Sequence, residues 1–264
     1  MPKHLRHLTL TLHLGLLSGM AAAAAASAPF AAQLGPRPFF LVEDMQESPL
    51  KRELQALTHR ERIELFKQLG VKMTPELKVP SVPMPFDGFT QEAYASKLID
   101  EYVQARVPPA DVYPQSFSQA DILYWIEHAE PFSRQAVFLD EAAKRADLPD
   151  AAKLAAYRKQ GIRIVAPPIY ALLALDDNQR IVPSTYAKDA KAAGLQIITW
   201  SLERSGWLAG PNKGFFYQGV EAALRREGDV LQVLDVLARE VGVIGVFSDW
   251  PATVTFYAAC KGLK

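Results

Sequence analysis

Val71-Lys72-Met73-Thr74-Pro75-Glu76-Leu77-Lys78 reads as a buried strand that ends in a carboxylate and an ammonium. Side chains two apart on a strand share a face, so Glu76 and Lys78 point to one side, where a strand's end lets them serve a metal and a phosphate. Standing alone, an E-x-K pair would be read as a salt bridge closing a strand. The remainder of the chain decides between the two.

From about residue 58 the sequence alternates helical and strand patterns. Thr58 and Glu61 form a capping box before Ile63, Leu65, Phe66 and Leu69, and Gly70 supplies the stop, which predicts a short amphipathic helix ahead of the strand Val71 to Val79. Further strands are predicted at Val112 to Phe117, Ala136 to Leu139, Ile162 to Leu173, Leu195 to Leu202 and Val243 to Ser248. Helices are predicted near Gln91 to Ala105, from the Ser118 cap through Ile126, between Ser184 and Gly194, and near Val230 to Glu240. Aliphatic runs separated by amphipathic helices imply parallel strands covered on both faces, hence an α/β fold of the (β/α) TIM-barrel-like kind. Reactive groups then belong at the C-terminal ends of strands, where the chain carries Glu76 and Lys78, Gln115 and Ser116, Asp140, Trp200 and Glu203, and Asp249. The strand count is about six where such a barrel needs eight, so the barrel is expected to be incomplete, with open edges that favour oligomers or aggregation.

The N-terminus has a separate character. Lys3 and Arg6 precede an apolar run to Ala26, with small residues around Ser27, which predicts a cleaved signal peptide over 1–28 and a periplasmic or secreted product. His13, Ser18 and Gly19 interrupt the run, so a stable membrane anchor is not expected. Lys3 and Arg6 leave with it, reducing the 29 basic residues to 27 against 29 acidic, and nucleic acid is excluded as a partner. Cys260 is the only cysteine, so neither an intramolecular disulfide nor a thiolate cluster can form. Residues 29–57 form an extended segment holding Phe39-Phe40-Leu41-Val42, and 58–264 form the partial barrel. Beyond the signal segment only His59 and His128 remain for imidazole chemistry.

Taken together, Thr74-Pro75-Glu76-Leu77-Lys78, Pro114-Gln115-Ser116-Phe117, Ile197-Ile198-Thr199-Trp200 and Phe247-Ser248-Asp249-Trp250-Pro251 resemble the glycerophosphodiester phosphodiesterase family, with Leu34-Gly35-Pro36-Arg37-Pro38-Phe39 similar to its secreted branch. The resemblance runs from about His59 to Lys264. It implies a barrel that cleaves glycerophosphodiesters to glycerol 3-phosphate and an alcohol with a divalent cation, Ca²⁺ or Mg²⁺, held by three carboxylates while two histidines act as acid and base. By position it makes Glu76 a metal ligand, Lys78 a phosphate contact, and Gln115, Phe117 and Trp200 the substrate-binding wall. Trp200 equally suits core packing.

The other half of the family's site is missing. A His-Arg-Gly, a Glu-x-Asp and a further histidine should come before Glu76, yet His59-Arg60 is followed by Glu61 and opens a helix, and Glu227-Gly228-Asp229 lies in a turn where Asp229 reads as an N-cap. This pattern implies an internal deletion near residue 57 that removes the first catalytic units and leaves no catalytic residue intact. One carboxylate cannot hold a hard cation tightly, and acid–base catalysis alone is worth about 10² to 10⁴ in rate. Activity is therefore expected to be lost or impaired, and the alternatives are a non-catalytic module that binds a glycerophosphodiester or another phosphate-containing small molecule, or a remnant without function. His128 reads as a solvated helix end and Gly210-Pro211-Asn212-Lys213-Gly214 as a surface turn.

Overall fold

The computed structural model describes residues 57–263. The signal peptide read over 1–28 lies outside the described residues, as does the extended segment read over 29–57 but for its last residue. The described residues divide into one unit reaching to Tyr257 and a second contributing 258–263, the end of the terminal helix with exposed Cys260.

The first helix, α1 (His59–Leu69), begins with the anticipated capping box. Thr58 accepts from the Glu61 amide, and the Glu61 carboxylate accepts from the Thr58 amide at 2.7 Å. Gly70, at φ 62°, closes the helix in the left-handed conformation that costs a glycine nothing. His59 stitches this helix to α2 (Gln91–Gln104), with Nδ1 2.8 Å from Glu101 and Nε2 3.1 Å from the Tyr102 hydroxyl. The next helix, α3 (Gln119–His128), packs on α2 through fully buried Trp125, whose indole N–H donates to the Ala95 carbonyl at 3.0 Å.

Five short strands form one parallel sheet in the order β1 (Gln115–Ser116), β2 (Val137–Leu139), β3 (Ile164–Ala166), β6 (Gln196–Thr199), β7 (Gly245–Val246). Helices α4 (Ala151–Lys159) and α6 (Thr185–Ala192) follow the α/β alternation. Val137, Leu139, Ile164, Ala166 and Ile198 face one side and make a core cluster, with Tyr113, Phe117, Trp200, Ile244 and Phe247 packed against it. From the other face Phe138 meets Tyr157 of α4 edge-on at 5.2 Å. This is the expected α/β barrel-like arrangement, and among the described residues the sheet does not close.

Two strand readings need correction. Val71 to Val79 is not a continuous strand; it pairs with the β1 segment through isolated parallel bridges at Met73–Val112 and Glu76–Gln115. The ladder is in register on both sides of Pro75, with Met73 N donating to Asp111 O and Leu77 N to Gln115 O, but proline has no N–H to continue it. Ile162 to Leu173 breaks after Ala166, passes through one helical turn, α5 (Ile169–Leu172), and ends in an antiparallel hairpin of β4 (Leu173–Leu175) and β5 (Ile181–Pro183). Its turn is organised by Asp176, which accepts from the amides of Asn178 and Arg180. The final helices are α7 (Val230–Asp235), continued as a π-helical stretch over Val236–Val241, and α8 (Pro251–Lys261).

Trp125 joins two helices and fills the space between them. Trp125→Ala is expected to cost about 3–5 kcal/mol through the cavity it leaves, read as a lowered urea midpoint with an unchanged m-value.

Candidate functional site

At the C-terminal ends of the parallel strands lies a pocket of about 170 Å³. Glu76, Lys78, Gln115, Phe117 and Trp200 all line it, together with Leu139, Ser201, Arg204, Phe247, Ser248 and Asp249. The parallel bridge between Glu76 and Gln115 brings the first four together, because alternate residues on each segment, 76 and 78 against 115 and 117, then share a face. Ser116, of opposite orientation, is buried elsewhere: its hydroxyl lies 3.2 Å from the Asp121 carboxylate and accepts from the Ser118 amide. Phe117 meets Trp200 edge-on at 5.8 Å, and the Trp200 indole donates to the Ala166 carbonyl at 2.8 Å. Trp200 is thus both a core residue and a pocket wall. The Trp200–Ser201 peptide is cis.

The polar lining consists of two ion pairs, one amide and the serines Ser201 and Ser248. Lys78 Nζ is 2.9 Å from Glu76, with the lysine side chain 70% exposed and the glutamate 10%. Arg204 binds Asp249 in a fork, at 2.9 and 3.3 Å. The Gln115 side chain of the same lining is buried, and its Oε1 has no hydrogen-bond partner. Behind the second pair sits Glu203, which accepts from the Ser248 hydroxyl at 2.8 and 2.9 Å and from the Asp249 amide at 3.0 Å. Burial pushes the Glu203 carboxyl above the usual 4.5, against the lowering effect of these bonds.

Other residues singled out in the sequence lie away from the pocket. Asp140 turns inward, accepting from the Ala142 amide and the Tyr186 hydroxyl, and burial raises its carboxyl also. Asp229 stands at the N-cap position of α7 as read, but its carboxylate makes no cap bond to that helix and accepts instead from the amides of Arg225 and Arg226, which precede it. His128 is exposed and stacks on Tyr124 at 4.6 Å. Arg204 was not singled out in the sequence, because its role depends on Asp249, 45 residues away, and no local spacing announces such a partner.

The loop that carries Arg204 is narrowly built. A Cβ on Gly206 would fall 2.2 Å from the Asn212 carbonyl oxygen, and one on Gly214, at φ 78°, 2.6 Å from the Gly206 amide. Gly210 N donates to Trp207 O at 2.9 Å, so the hydrogen-bonded turn spans 207–210, ahead of the 210–214 surface turn read in the sequence, where Lys213 is buried.

A divalent cation does not fit the donors described. Hard cations of this kind take six or more oxygens, several of them carboxylate. Glu76 is already engaged by Lys78 and Asp249 by Arg204, and among the described residues no three His, Cys, Asp or Glu side chains converge.

Two outcomes follow from these contacts. The raised Glu203 and Asp140 carboxyls hold protons more tightly in the folded than in the unfolded chain, so stability falls as pH rises from the unfolded carboxylate value through the raised one. Glu203→Gln should flatten part of that slope in urea midpoints taken across the acidic range. Gly206→Ala should cost about 1–3 kcal/mol by thermal unfolding, since backbone must move to admit the methyl group. Gly228→Ala, with nothing within 4 Å, should leave stability nearly unchanged.

No family model matches the chain. An "Extracellular protein" of Arthroderma benhamiae is 49% identical over 217 residues, covering 79% of this chain and 87% of that one. Among solved structures, a glycerophosphoryl diester phosphodiesterase from Silicibacter pomeroyi DSS-3 is similar with a TM-score of 0.53 at 14% identity, over 82% of this chain and 64% of that one. A glycerophosphodiester phosphodiesterase from Parabacteroides distasonis is similar with a TM-score of 0.50 at 11% identity, over 76% and 63%. One from Agrobacterium tumefaciens has a TM-score of 0.50 at 15% identity, over 78% and 65%. The chain spans slightly under two thirds of the length of each of these solved chains. No helix among the described residues is long and apolar enough to cross a membrane. The chain therefore belongs to the family of the Arthroderma extracellular protein, and its fold is that of the glycerophosphodiester phosphodiesterases.

Proposed function

We propose that the chain is an exported glycerophosphodiester phosphodiesterase-like protein that binds a phosphate-bearing polyol without hydrolysing it. The observation that carries this reading is Gln115 Oε1, a buried acceptor without a partner in the pocket lining. A buried acceptor left unmade costs about 1–3 kcal/mol, and a ligand hydroxyl donating to it would recover that. Lys78 and Arg204 place two cations in the same lining for a phosphate, and Phe117 and Trp200 supply an apolar wall for a carbon backbone.

Hydrolysis has no comparable support. Neither imidazole of the described residues lines the pocket; His59 is tied to Glu101 and Tyr102, and His128 stacks on Tyr124. The chain's coverage of under two thirds of the solved phosphodiesterases, and the unclosed sheet, favour a deletion of the first barrel units. The relative that is 49% identical is matched over 87% of its length, which favours a short form shared by both chains over an accident of one. The relative's description as extracellular favours export.

Calorimetric titration should detect glycerol 3-phosphate binding, weakened about tenfold by Gln115→Ala or Lys78→Ala, each removing roughly 1.4 kcal/mol. The same protein with Ca²⁺ or Mg²⁺ should release no glycerol 3-phosphate from glycerophosphocholine above buffer. Metal-dependent turnover abolished by Glu76→Ala would overturn the non-hydrolytic reading.

A further inference from the structure

We propose that the mouth of this pocket docks on a lipid surface, with Trp207 and Trp250 entering the interfacial layer so that a zwitterionic phospholipid headgroup reaches the pocket. The inference rests on the binding role proposed above and adds the source of the ligand. Each of three segments that line the pocket runs on into a large, exposed apolar side chain: Lys78 into Val79 (71% exposed), Arg204 into Trp207 (80%), and Asp249 into Trp250 (63%). Apolar residues exposed singly are ordinary, but three beside the lining of one pocket are a patterned feature.

The two tryptophans are held on neighbouring supports. Arg204 forks onto Asp249, and Glu203 accepts from both Ser248 and the Asp249 amide, so the segments bearing Trp207 and Trp250 are cross-linked within a few residues of each indole. The close approach of Gly206 to Asn212 and Gly214 narrows the base of the loop that carries Trp207. Indole, an apolar body with one N–H, is the side chain that settles at the headgroup level of a membrane.

Charge selects the kind of lipid. The pocket's charged side chains are Glu76, Lys78, Arg204 and Asp249, two of each sign. A polyanionic surface gains nothing net from such a mouth, whereas a zwitterion is complementary to it. Its phosphate faces Lys78 and Arg204, and its ammonium faces Glu76, Asp249 and the ring faces of Phe117 and Trp200. A protein partner is less suited, because protein interfaces put apolar anchors in the middle and charges at the rim. Here the charges belong to the pocket lining itself, and neither Trp207 nor Trp250 is among its lining residues.

The test is co-sedimentation of the full chain with phosphatidylcholine vesicles, alongside phosphatidylserine vesicles and calorimetry with soluble glycerophosphocholine. The expected result is sedimentation with phosphatidylcholine, weakened at least about tenfold in the Trp207→Ala/Trp250→Ala double variant, with affinity for soluble glycerophosphocholine unchanged. Both side chains are exposed, so the variant should unfold at the same temperature as the parent. No sedimentation, equal sedimentation of the double variant, or preference for phosphatidylserine would overturn the proposal. A dimer dissolved by the double variant without vesicle binding would overturn it in favour of a second copy of the chain. Failure to bind soluble glycerophosphocholine while vesicle binding persists would instead count against the pocket reading alone.

Discussion

Four main-chain hydrogen bonds pair the segment around Glu76 with the one around Gln115: Met73 N to Asp111 O, Tyr113 N to Met73 O, Gln115 N to Pro75 O and Leu77 N to Gln115 O, all between 2.8 and 2.9 Å. A slip of one residue in this register would turn Glu76 and Lys78 away from Gln115 and Phe117, because side chains alternate faces at every step. Pro75 removes one rung but leaves the register unchanged on both sides. The same parallel order carries across β1, β2, β3, β6 and β7, which is why residues 76 to 249 can meet at one end of the sheet.

What closes the pocket on the far side is a set of polar contacts. Glu203 sits behind Ser248 and Asp249, Arg204 holds the Asp249 carboxylate, and the Trp200 indole is tethered to Ala166. The cost is visible at Glu203, whose carboxyl is raised by burial despite the donors around it. A half-buried carboxyl kept this way positions two loops, and Glu203 itself is not part of the pocket lining. The carboxylates that do line the space, Glu76 and Asp249, each have a cation beside them.

The same pairing weighs against a metal ion at the described carboxylates. A hard cation would have to displace Lys78 or Arg204 and find further carboxylates that the described lining lacks. The described lining offers an aromatic wall, an unpartnered amide oxygen and charges of both signs.

The sequence by itself determined the α/β class, the caps at Thr58, Gly70 and Ser118, and about half of the pocket lining. Capping boxes and glycine stops are local chemistry, and Thr58, Glu61 and Gly70 act within a few residues of one another. Glu76, Lys78, Gln115, Phe117 and Trp200 were legible because strand ends in a parallel barrel converge and because their short motifs resemble a family. The hairpin Leu173–Pro183 had a signal in Asp176-Asp177-Asn178-Gln179, but the unbroken apolar run before it concealed where the parallel strand stops. Only the tertiary structure decided that Pro75 interrupts a ladder, that Asp140 turns inward to Tyr186, and that Arg204 and Glu203 join the site through Asp249 and Ser248. Those outcomes depend on partners dozens of residues away, and a side chain's choice among distant partners is made by packing, which no local pattern encodes.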